Sequence, residues 1–146
     1  MVDVGALTTV ASFIAAFGGA LLVFRIQREI QMHDQMEIQW IPWADRLLVG
    51  ATLTALLLVL LPLTALTNRP GRLADLPSAA CAAAVLMVAG YIFAILAHYR
   101  LLFGRRRSGP RLNPEPAERW IVLTTLLLAA IMLAALLFRY PAPTEL

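Results

Sequence analysis

Lysine is absent from the chain, cysteine occurs once, histidine twice, and charged residues fill only 14% of the 146 positions. Each shortage excludes something. Cys81, the one cysteine, sits inside an apolar run, which rules out an internal disulfide, a CxxC redox pair and a thiolate metal cluster. A soluble domain is about one-quarter charged, so a chain that is 60% hydrophobic and 14% charged carries more apolar surface than water tolerates. The long apolar runs hold no Asp, Glu, His or Arg. They therefore lack the membrane-depth carboxylate that proton-coupled transporters and small multidrug pumps need. With no nucleophile–base pair and no phosphate-binding loop, neither enzymatic activity nor a cofactor is expected. Met1 to Gly5 carries no basic residue, so the first apolar run reads as a retained helix rather than a cleaved signal.

Four apolar runs remain, at about residues 5–24, 47–67, 78–97 and 120–138. Each approaches the roughly 20 helical residues that cross a hydrocarbon core of about 30 Å. The expected fold is all-α, a polytopic membrane protein in which residues 1–146 form a single integral membrane domain. It is a four-transmembrane-helix bundle whose first helix extends into the cytoplasm. All 12 basic residues are Arg. Arg25, Arg28 and Arg46 lie in segment 25–46, and Arg100, Arg105, Arg106, Arg107, Arg111 and Arg119 in segment 98–119, against Arg69, Arg72 and Arg139 on the other side. Because positive loops resist translocation, segments 25–46 and 98–119 are expected in the cytoplasm and both termini outside. Trp40, Trp43, Tyr99 and Trp120 fall at the same interface, where amphipathic rings prefer to lie. The Ala, Leu and Arg bias suggests a GC-rich bacterial genome, and hence the inner (cytoplasmic) membrane.

Segment 25–46 is the most patterned part of the chain. No Gly or Pro occurs between Leu21 and Ile41, so the first helix should continue until Pro42 stops it. Helical spacing aligns Glu29, His33 and Glu37 as a candidate metal stripe. Those three positions span about 12 Å, so only an adjacent pair can share one ion. The plainer reading, which we prefer, is an Arg25–Glu29 ion pair followed by a hydrated stripe, worth a few tenths of a kcal/mol per pair (~0.3). Met32, Met36 and Trp40, with Trp43 beyond them, form a second stripe suited to lipid headgroups or a partner helix. Arg105, Arg106 and Arg107 make a compact positive patch, each worth about 1 kcal/mol beside anionic headgroups. Nucleic-acid binding is not expected, since no aromatic residues interleave with these arginines. His98, alone at the end of the third run, reads as a satisfied interfacial residue rather than a haem ligand.

Small residues recur at packing intervals: Ala11, Ala15 and Gly19 in the first run, Gly90 and Ala94 in the third. Such faces let helix backbones approach closely, within the bundle or against a second subunit. The expected function is a non-enzymatic accessory or scaffold subunit. Its expected partners are anionic membrane lipids and either another membrane protein or a second copy of itself. One alternative is a homo-oligomeric pore lined by Thr8, Thr9, Ser12, Thr52, Thr54, Thr124 and Thr125. Another is a membrane-surface metal- or lipid-dependent enzyme using Glu29, His33 and Glu37.

Overall fold

The computed structural model describes residues 3–33, 43–65, 75–98 and 115–138. Among them every regular element is helical: α1 (Val4–His33), α2 (Trp43–Thr54), a π-helical turn (Ala55–Leu60), α3 (Leu61–Ala65), α4 (Leu76–His98) and α5 (Glu115–Phe138). Four stretches are long and apolar enough to cross a membrane: Val4–Arg28, Trp43–Thr64, Leu76–His98 and Pro116–Phe138.

Local chemistry explains where the helices begin. Asp3 Oδ1 accepts from the Gly5 N–H at 2.8 Å, and Asp3 O accepts the first helical bond of α1, from Leu7 N–H at 3.1 Å. Asp75 O receives both Ala79 N–H at 3.1 Å and the Ser78 hydroxyl at 2.9 Å at the start of α4. Pro77 and Pro116 stand in first turns, where a missing N–H costs nothing.

With 30 residues, α1 is about 45 Å long and continues beyond its apolar run as far as His33. Both α2 and α5 start some four residues before their apolar runs do, at Trp43 and Glu115. The added turns carry Asp45 and Glu118, which the helices keep because each is met by groups of another helix.

Pro62 explains the π turn. It has no N–H to donate, and in a regular α-helix its ring would crowd the carbonyl of Leu58. The chain widens immediately before it, with Leu61 N–H reaching back five residues to Leu56 O. The second crossing thus stays helical through a proline.

The alanine-rich helix α4 is the centre of the bundle. Ala79, Ala80, Ala83, Ala84, Ala94 and Ala97 are all buried, and α4 packs on α5, α2, the π turn and α1. Its most extensive interface is with α5. Helices α1 and α5 share no comparable interface and flank the α2–α4 pair. Two close approaches lock the flanks. Gly90 of α4 lies so near Thr125 of α5 that a Cβ there would overlap the threonine side chain, and Gly18 of α1 meets Thr52 of α2 in the same way. Outward, large apolar side chains stand exposed, among them Phe13, Phe17, Phe24, Phe93, Leu127 and Ile131. A surface of that kind suits hydrocarbon rather than water.

Candidate functional site

Arg25, Asp45, Arg46, His98, Glu118 and Arg119 collect at one end of the bundle, where the apolar run of α1 finishes, α2 begins, α4 ends and α5 begins. Glu118 is at its centre. The residue is only 2% exposed although it lies in the first turns of α5. Its Oε1 accepts from Ala44 N–H at 2.7 Å, and its Oε2 lies 2.8 Å from His98 Nδ1. Ala44 is the second residue of α2, whose opening N–H groups have no partner within their own helix. Glu118 therefore caps α2 from a different helix, and the positive end of the α2 dipole favours its charge. With Glu118 ionised, Nδ1 of His98 carries the proton and donates. His98 is the last residue of α4, where a positive charge also suits the helix dipole. One carboxylate thus ties α2, α4 and α5 together.

A second tie joins α1 to α2. Arg25 Nε lies 2.9 Å from Asp45 Oδ1, with both side chains largely withdrawn from the surface. Asp45 stands in the first turn of α2, another position that favours an acid. Trp43, the first residue of α2, stands at the same end. Arg46 Cζ is 3.8 Å from its ring centroid, and Arg119 Cζ, arriving from α5, is 5.1 Å from the same centroid. Both distances are within cation–π range.

No known protein family, curated protein or solved structure matches this chain.

Of the residues singled out from the sequence, Trp43 belongs to this cluster. Glu37, Met36, Trp40, Arg105, Arg106 and Arg107 lie outside the described residues, as do the side chains of Glu29, Met32 and His33 on the last turns of α1. Ala11 and Ala94 are fully buried, and Gly90 forms the contact with Thr125. Ala15 is half-buried, and a Cβ on Gly19 would meet nothing within 4 Å. Packing at that level of α1 runs instead through Gly18, one residue earlier. The hydroxyls considered as pore lining are mostly held by their own helices. Thr8, Thr9, Thr52 and Thr124 donate to the carbonyls of Val4, Gly5, Leu48 and Trp120, at 2.8–2.9 Å.

Glu118 and its partners were not evident from composition. A signal was nonetheless present. His98 and Glu118 bracket the segment between the third and fourth apolar runs, and in an antiparallel hairpin two such residues return to the same end.

Proposed function

We propose that the protein is a non-enzymatic accessory or scaffold subunit of a bacterial cytoplasmic membrane, packing against other membrane helices. The observation that carries this reading is that the buried charged groups serve the bundle itself. Arg25–Asp45 and Ala44–Glu118–His98 tie four helices at one end, each group engaged with a group from another helix of the bundle. Chemistry of this kind fixes a shape. The open side of α1 at Gly19 then offers a place for another helix, since close backbone approach there meets no obstacle among the described residues.

Native mass spectrometry of the protein extracted gently from its own membrane tests the proposal. A heteromeric mass is expected, and Gly19→Leu should dissociate it while leaving the fold intact. A closed homo-oligomer that conducts ions in proteoliposomes would replace the scaffold by a pore.

The proposed orientation places both termini outside and segments 25–46 and 98–119 in the cytoplasm. Cys81 is the only cysteine and is buried, so a Cys81→Ala chain is a clean background. In intact cells an impermeant maleimide should label Asn68→Cys at once but reach Ser108→Cys only after permeabilisation. The reverse pattern would invert the topology.

A further inference from the structure

We propose that Arg46 and Arg119, held over the Trp43 indole, form a binding site for the phosphate of an anionic phospholipid headgroup. The inference rests on the membrane-spanning reading of the four helices but not on the scaffold function.

Two guanidinium groups from different helices converge on one aromatic ring, at 3.8 and 5.1 Å from its centroid. Like charges repel, so this arrangement needs a neighbour that compensates them. The nearby acids do not provide it. Asp45 is engaged by Arg25, and Glu118 is turned inward, almost fully buried, onto Ala44 N–H and His98. Among the described residues no carboxylate lies within ion-pair distance of Arg46 or Arg119, and both arginines are exposed.

What remains at this corner is a pair of planar donor forks with net positive charge, next to the first turns of α2 and α5. A phosphate fits that set, because guanidinium groups bind its oxygens two at a time and the helix N-termini add positive potential. Position selects a lipid phosphate over a soluble one. The pair stands where the apolar stretches Trp43–Thr64 and Pro116–Phe138 begin, the level of the headgroups if those stretches cross a bilayer. Beside Arg119, Trp120 is 70% exposed, and one turn further Leu123 is exposed as well, giving a path along which an acyl chain can lie.

The test is native mass spectrometry of the full chain released from detergent, titrated separately with dioleoyl phosphatidylglycerol and dioleoyl phosphatidylcholine. One phosphatidylglycerol is expected to be retained at least tenfold more tightly than phosphatidylcholine. Arg46→Gln and Arg119→Gln should each weaken that binding about fivefold. Arg69→Gln/Arg72→Gln, which removes the same number of arginines from the segment between the second and third apolar runs, should change it little. Equal retention of the two lipids by the unaltered protein would overturn the proposal without reference to any variant. So would displacement of the lipid by millimolar inorganic phosphate, which would mark a general anion site. Unchanged phosphatidylglycerol binding in the double variant Arg46→Gln/Arg119→Gln would also overturn it. The same spectra report subunit mass, so loss of the scaffold reading and loss of the lipid site are seen separately.

Discussion

Replacing Glu118 by alanine is expected to destabilise the bundle by about 2–3 kcal/mol, with the loss concentrated at the junction of α2, α4 and α5. The argument follows the groups left behind. Ala44 N–H loses its acceptor at a buried site, and an unsatisfied buried donor costs about 1–3 kcal/mol. His98 loses its partner too, but its side chain is 32% exposed and can rehydrate, so its share is smaller. Glu118→Gln separates the parts. Its amide oxygen can still accept from Ala44 N–H and its amide nitrogen can donate to a neutral Nδ1 of His98, so this variant should lose less than half as much. Unfolding in detergent, followed by loss of helical signal with added denaturant, gives the comparison. A His98→Ala/Glu118→Ala double-mutant cycle should show coupling on the order of 1 kcal/mol. If glutamine and alanine were equally damaging, charge rather than hydrogen bonding would hold the junction. If neither mattered, the tie would have no structural weight.

Gly90→Leu should be at least as severe, for a different reason. At Gly90 the α4 backbone lies against Cβ, Oγ1 and Cγ2 of Thr125, so even alanine would overlap the threonine. Thr125 is buried and β-branched, and cannot swing aside as a long flexible side chain can. Either α5 moves away from α4 or the core distorts, and overpacking of this sort costs about 1–3 kcal/mol, more when the inserted side chain is large. Gly90→Ala should therefore be measurably destabilising, and Thr125→Gly in the same chain should restore much of the loss by vacating the space. Gly19→Leu is the contrasting control, since nothing stands within 4 Å of the position and monomer stability should not change. Equal effects at Gly90 and Gly19 would mean that the α4–α5 contact is not as close as described.

The helices themselves were legible because hydropathy runs and their breaks are local properties. Asp3 and Pro77 mark helix starts, and the apolar runs are too long to be anything but crossings or core helices. Their contacts were not. Ala11, Ala15 and Gly19 share a four-residue spacing, but Ala11, Ile14 and Gly18 lie just as well along one side of the same helix. Only the neighbour, Thr52, decides that the buried glycine is Gly18. Arg25 shows the same limit. Read along its own helix it has Glu29 one turn away, yet its Nε lies against Asp45, which belongs to the next helix. Charged residues at the ends of apolar runs look like boundaries in one dimension. In three dimensions Asp45 and Glu118 are inside the helices, because Arg25, Ala44 N–H and His98 meet them there.

The wide turn at Ala55–Leu60 has a consequence for how the second crossing can change. A π turn uses one residue more than an α-helix would over the same rise, so everything after Leu60 is rotated by about 100° from the direction that α2 alone would dictate. Both parts of the crossing pack on α1 and α4, and only the first packs substantially on α5 as well. A straight helix would have to satisfy both sets of neighbours with a single orientation. Here the two halves are spliced with an offset, so each turns its own face toward α1 and α4 while the first also meets α5.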